Sequence, residues 1–154
     1  VTRRRRVIIS GIMTTTIQTI RDDFSLLDEW EDRYRYVIEL GEALPPFPDE
    51  QRNAANKVPG CVSQVWLTTE HGTGANPVIT FMGDSDAHIV RGLVAIVLAL
   101  FSGQTASKIL ETDAEATLRT LGLDEHLSPQ RANGLRSMVK RIKRDAEAAL
   151  KQTA

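Results

Sequence analysis

The stretch Asn56-Lys57-Val58-Pro59-Gly60-Cys61-Val62-Ser63-Gln64-Val65-Trp66 changes character at its middle. Pro59 and Gly60 break regular structure, and a β-prone run begins just after Cys61. The chain's one cysteine therefore sits at a loop-to-strand junction rather than inside an element. Without a second cysteine there is no intramolecular disulfide, no Cys-x-x-Cys redox pair and no multi-thiolate metal site. The thiol works alone or does nothing. By composition a lone cysteine is more often an inert apolar residue, whereas a loop setting favours function. A nucleophilic thiol must ionise from an ordinary pKa of about 8.5, which takes a nearby cation or backbone donors. No histidine is close in sequence, so a Cys–His pair would need the fold to bring His88 or His126 across.

Outward from this junction, Ser63 to Thr69 and Val78 to Phe81 read as strands. The turn-rich His71-Gly72-Thr73-Gly74-Ala75-Asn76-Pro77 between them makes a hairpin, and Lys57-Val58 is a candidate short third strand. Upstream, Ile17, Ile20, Phe24 and Leu27 recur at helical spacing, predicting an amphipathic helix over 14–27. Asp28 and Glu31 have capping-box spacing for a second helix. Its apolar face uses Trp30, Tyr34, Val37, Ile38 and Leu40, and Gly41 with the Pro45–Pro48 run ends it. Residues 44–56 form a proline-rich, polar connection.

Downstream, Gly83-Asp84-Ser85-Asp86 is expected to open a helix running to Phe101, with Ser or Asp as its cap. Ile89, Val90, Leu93, Val94, Ile96, Val97, Leu98, Leu100 and Phe101 leave it almost no polar face, so it is the expected central core helix. Short helices are predicted over 106–111 and 114–121. Ser128-Pro129 starts a last helix reaching about residue 150. Leu135, Met138, Val139, Ile142, Ala146 and Leu150 mark its apolar side. Arg136, Lys140, Arg141, Lys143 and Arg144 mark a basic side, expected to face solvent.

The apolar share of 42% and charged share of 25% are ordinary for a soluble globular domain. A formal charge of −1 conceals an asymmetry. Setting aside Arg3 to Arg6 leaves 15 of the 19 basic residues against 20 acidic ones, a body charge of −5. Nucleic-acid binding is not expected of such a body. The basic arm over 1–13 is expected to be a disordered tail, with Met13 a natural first residue, followed by a single domain over 14–151. Val7 to Met13 is too short for a signal peptide and Leu93 to Phe101 too short for a membrane span. A free thiol without an export signal predicts a reducing cytoplasm. His71, His88 and His126 lack ligand spacing, so no metal is expected. Neither a phosphate-cradling glycine loop nor a serine-hydrolase elbow occurs.

Lys57-Val58-x-Gly60-Cys61-x-Ser63-Gln64-Val65-Trp66 resembles the active-site segment of the SufE family of cysteine desulfuration proteins. Trp30-Glu31-x-x-Tyr34 with Ile38-Glu39-Leu40-Gly41 is similar to that family's second helix. Gly83-Asp84-Ser85-Asp86-Ala87 with Ile89-Val90-x-Gly92-Leu93 is similar to the start of its central helix. His126-Leu127-Ser128-Pro129-x-Arg131-x-Asn133-Gly134-Leu135 resembles the entrance of its last helix, and the likeness runs from about residue 24 to 148.

The resemblance implies an α+β fold of the SufE/IscU-like kind, a small three-stranded antiparallel sheet packed against several α-helices. It implies a sulfur acceptor and persulfide carrier. Cys61 would take sulfane sulfur from a PLP-dependent cysteine desulfurase (SufS/CsdA-like), stimulate it, and pass sulfur to iron–sulfur scaffold proteins. The chain itself would hold no cofactor, PLP belonging to the partner, and would be a transfer partner rather than a stand-alone turnover enzyme. A lone thiol suits that task, since a resolving thiol would eject the cargo as a disulfide. The family's thiol sits in a loop tip against an apolar cavity and is drawn out by the partner. Arg131 matches a family position near the thiol, where it would favour the anion. Gly60, Gln64 and Asp86 match positions around the cysteine loop. The Arg-rich arm has no counterpart in the family pattern, and the 71–77 turn is longer than in some members. A homodimer stays open, as do a thiol hydrolase or peroxidatic enzyme and a non-catalytic adaptor. An iron–sulfur scaffold would need about three cysteines.

Overall fold

In the computed structural model, residues 16–153 are described; the expected basic arm over 1–13 lies outside them. Two helices come first, α1 (Ile17–Leu26) and α2 (Trp30–Glu42). Thr16 caps α1 by accepting the Thr19 N–H, and the buried Ile20 and Phe24 face inward. The expected capping box at Asp28 is not formed: Glu29 occupies the cap position of α2 and makes no side-chain bond there. Arg33 fixes the turn into α2 instead, its Nε donating to Leu27 O (2.7 Å) and its Nη2 to Phe24 O (3.1 Å). Carbonyls at a helix end have no partner further along the helix, and the guanidinium supplies one.

Gly41, expected to end α2, does not: the helix runs through it to Glu42. Its purpose is close approach. A Cβ on Gly41 would lie 2.6 Å from Gly92 N, and one on Gly92 only 2.0 Å from Val37 O. The α2 backbone thus rests directly on α3 (His88–Phe101), which buries Val90, Leu93, Val94, Ile96, Val97, Leu98 and Phe101 and forms the centre of the core. Fully burying each such side chain contributes roughly 1.5–3 kcal/mol.

The sheet is antiparallel with strand order β1-β2-β3, from β1 (Val65–His71), β2 (Val78–Ser85) and β3 (Gln104–Thr105). β1 and β2 form the expected hairpin, Val65 opposite Ser85 and His71 opposite Ile79. Two expectations are corrected here. Lys57 makes only an isolated bridge to Trp66, and the third strand is the two-residue Gln104–Thr105, too short to leave a periodic signal. Gly83 to Ser85 belong to β2 and open no helix; α3 starts at His88 after Ala87, without a side-chain cap. Gly83 is a strand residue because a Cβ would meet Leu67 Cδ2 and Val94 Cγ1, each at 2.7 Å, where sheet and helix touch.

The chain then forms α4 (Ala106–Glu111), α5 (Ala114–Leu121), α6 (Leu123–His126) and α7 (Pro129–Thr153). The first two match the predicted bounds. Residues 123–126 make one helical turn after the left-handed Gly122. Ser128 and Pro129 start α7 as expected, the serine hydroxyl accepting Arg131 N–H at 3.3 Å. Its buried face includes Leu135, Met138, Ile142 and Ala146. The expected solvated basic side holds for Arg136, Lys140 and Arg144, which are exposed, but Arg141 and Lys143 are drawn into the fold. Arg141 is nearly buried, pairing with Asp145 (3.1 Å) and donating to Leu67 O (3.4 Å). Lys143 donates to Thr112 O (2.7 Å) at the end of α4, and Arg136 pairs with Glu115 (2.9 Å). No helix among the described residues is long and apolar enough to cross a membrane.

Candidate functional site

Cys61 lies on the loop that leads into β1, and the loop rests along α7. Gly60 shapes it: its φ of +88° is left-handed, where side chains are strained. A Cβ there would also stand 2.7 Å from Ser137 Oγ. One turn earlier on α7, Gly134 leaves the helix backbone bare, and its missing Cβ would sit 3.6 Å from Cys61 Sγ. The thiol therefore seats on the helix itself, its S–H directed at Gly134 O at 3.8 Å, a weak sulfur hydrogen bond. Gly134 and Ser137 are three apart and share a helix face, which makes α7 a rail for the loop.

The seat opens into a cleft of about 340 Å³. Val90 and Leu93 of α3 and Met138 of α7 supply apolar wall, while Ser128 and Arg131 line it from the start of α7. Burial alone pushes the Cys61 thiol above its ordinary pKa, because leaving water penalises the thiolate. The resting thiol is accordingly protonated at neutral pH. Arg131 shares the cleft, in line with the resemblance, but it is exposed and its guanidinium does not lower the thiol's pKa in this geometry. Val62, beside the half-buried cysteine, is 80% exposed.

Gln64 and Asp86 meet across the far stem of the loop. The Asp86 carboxylate accepts Gln64 N–H (3.0 Å) and Gln64 Nε2 (3.2 Å), and Asp86 N–H donates back to Gln64 O (3.3 Å). Ser85 Oγ also donates to Gln64 O, at 2.7 Å. Asp86 thus holds the cysteine loop where it enters β1, rather than capping α3. Trp66 is buried in the sheet.

The segment before the cysteine is held by residues that sequence reasoning did not single out. The 3-10 turns Asp49–Gln51 and Ala54–Asn56 lead into it. Arg52 between them donates through Nε to the buried Asp84 (2.9 Å), and its Nη2 lies 2.8 Å from the same oxygen. Arg91 Nε approaches the other Asp84 oxygen at 2.8 Å as an ion pair without hydrogen-bond alignment, while its Nη2 donates to Ser85 O. Asp84 raises the Arg52 pKa by hydrogen bond and charge. Nothing in the local sequence pairs residues 52, 84 and 91. Gly134 did leave a sign, a glycine inside a long helical pattern.

The histidines lie elsewhere. His71 ends β1, with Nδ1 2.9 Å from Gly72 O; His88 begins α3; His126 ends α6 and stacks on Trp30 at 3.9 Å. Tyr34 donates its hydroxyl to His126 O. Among the described residues no histidine lines the Cys61 cleft.

Residues 18–146 match the family model SufE, described as an Fe-S metabolism associated domain. A protein of Rhizobium meliloti (strain 1021), named an uncharacterised SufE-like protein, is 62% identical over 138 residues, 88% of this chain and 98% of its own. A second SufE-like protein, from Rhizobium etli, is 58% identical over 137 residues, with 88% and 93% covered. The solution structure of a hypothetical protein from Thermus thermophilus superposes with a TM-score of 0.69 at 20% identity, over 88% of this chain and 96% of that one. At that identity the likeness concerns the fold, and it is the same α+β arrangement.

Proposed function

We propose, for a chain that belongs to the SufE family of Fe–S metabolism associated domains, that Cys61 accepts sulfane sulfur from a cysteine desulfurase and carries it as a persulfide. The observation that carries this reading is the seat of the thiol: a lone cysteine, recessed on Gly134 at the mouth of a partly apolar cleft.

In transfer, the Cys61 thiolate attacks the outer sulfur of a persulfide on the donor enzyme. A new S–S bond forms at Cys61 as the donor's S–S bond breaks, and the donor's inner sulfur leaves as a thiolate. The Cys61 proton is released to solvent on ionisation, and no external oxidant or reductant is consumed. The cleft's contribution before the encounter is protection. A protonated, half-buried thiol is a poor nucleophile toward peroxide or stray disulfides. The bond from its S–H to Gly134 O is a weak one, so leaving the seat is inexpensive. Once in water the thiol recovers an ordinary acidity, and Arg131 at the cleft offers a cation to the emerging anion. Delivery to an iron–sulfur scaffold is the matching downstream step, in which a scaffold thiolate attacks the carried sulfur.

The hydrolase reading has no histidine base at the cleft, since none lines it among the described residues. Desulfurase turnover on free cysteine, followed as alanine release, tests the proposal. The wild-type protein raises it, and Cys61→Ser removes the stimulation. Equal stimulation by both proteins would leave only an adaptor.

A further inference from the structure

A second pocket, sharing no residue with the Cys61 cleft, lies where α1, α2 and α5 meet. Its volume is about 150 Å³. Arg21, Phe24 and Ser25 line it from one strip of α1, and Thr120 and Leu121 from α5. Arg33 of α2 closes it, its guanidinium 5.6 Å from the centre of the Phe24 ring and 5.0 Å from that of Trp30.

Neither arginine has a carboxylate partner among the described residues. Arg33 uses Nε and Nη2 on the two carbonyls at the end of α1, which offsets that helix's negative end. Arg21 is then the uncompensated charge. Its Nη2 donates to Thr117 Oγ1 at 3.2 Å, and its Nε is buried with no acceptor. That Nε is closed to solvent, so what the pocket presents is the charge of the guanidinium, which an oxyanion answers best. This occurs in a body whose described part is acidic, so the local positive charge is not the overspill of a basic surface.

We propose that this pocket binds a small oxyanion, of the phosphate or carboxylate class, held chiefly by Arg21 with Arg33 and the ring of Phe24 as its wall. The volume admits a phosphate or acetate-sized group.

The test is titration of the full chain with inorganic phosphate and, separately, acetate, observing the arginine Nε–H and the Thr120 and Leu121 amide resonances. Sodium chloride at matched ionic strength is the reference. Saturable shifts with a dissociation constant on the order of 1 mM are expected, absent with chloride and absent in Arg21→Gln. Saturation by phosphate alone assigns a phosphate source, and saturation by both anions a carboxylate-tolerant site. Arg21→Lys keeps the charge without the planar fork and guards against misfolding of the glutamine variant. It should bind about tenfold more weakly. Shifts that merely track ionic strength, or unchanged phosphate affinity in a folded Arg21 variant, overturn the proposal.

Discussion

Replacing Gly60 with alanine should release the thiol from its seat. The residue has φ +88°, and a Cβ there points at Ser137 Oγ 2.7 Å away. The hydroxyl can rotate aside, so the lasting penalty is the left-handed backbone, about 1–2 kcal/mol for a non-glycine residue. That penalty applies only while the loop keeps its seated shape, so it biases the loop toward a detached state by roughly 5- to 30-fold. Detachment exposes Sγ and removes the burial that raises its pKa. The assay is the alkylation rate of Cys61 by iodoacetamide across pH, with circular dichroism as the control for folding. Gly60→Ala should react about tenfold faster near neutral pH, and its rate–pH midpoint should move down toward that of an ordinary thiol. Ser137→Ala alone should change little, and added to Gly60→Ala it should not restore protection. An unchanged alkylation rate in Gly60→Ala, or full rescue by Ser137→Ala, would refute the argument that the left-handed turn holds the seat.

Further outcomes follow from the same geometry. Because burial raises the folded-state pKa of Cys61, the folded chain holds its proton more tightly than the unfolded one. The thiol's contribution to stability is therefore complete below the unfolded pKa of about 8.5 and is lost as pH rises through the higher folded value. Urea melts should show wild type losing stability relative to Cys61→Ser above about pH 9, and a constant difference between them at all pH values would contradict this. Gly92→Ala places a Cβ 2.0 Å from Val37 O, a backbone atom that can move only with its helix. Gly92→Ala should lower stability by about 3 kcal/mol, outweighing the roughly 1 kcal/mol gained in helix propensity; an unchanged melting temperature would show that the helices do not cross so closely. Asp84→Ala removes the buried carboxylate that Arg52 and Arg91 share, leaving Arg52 with Asp49 and Arg91 with no carboxylate partner among the described residues. A loss of about 3 kcal/mol is expected in denaturant melts, with earlier proteolysis of residues 49–57, whereas a stable and protease-resistant variant would demote the triad.

Much of the architecture was legible because it depends on local pattern. The apolar run of α3, the Ser128-Pro129 start of α7 and the hairpin around 71–77 all appear where periodicity and turn chemistry put them. The misreadings share a cause. Gly41 and Gly83 look like punctuation in sequence, but each is a place where two elements touch too closely for a side chain. Arg141 and Lys143 look like solvated charge until a sheet carbonyl and a helix end are found beside them. At the site, the gathering of Cys61, Gly60, Gln64, Asp86 and Arg131 around one loop and its cleft was readable from the family-like motif. The seat on Gly134 and Ser137 was not, since it depends on how the loop lies across a helix more than seventy residues away. Nor did the residues alone forecast that burial, rather than Arg131, sets the resting thiol's acidity.

The central claim is that sulfur rests on Cys61. Intact-mass spectrometry of the protein after incubation with a cysteine desulfurase, PLP and free cysteine tests it most directly. The account predicts the addition of one sulfur atom to the wild-type chain, removable by a thiol reductant, and no addition to Cys61→Ser. A wild-type chain that gains no sulfur, or a Cys61→Ser chain that gains as much, would contradict it.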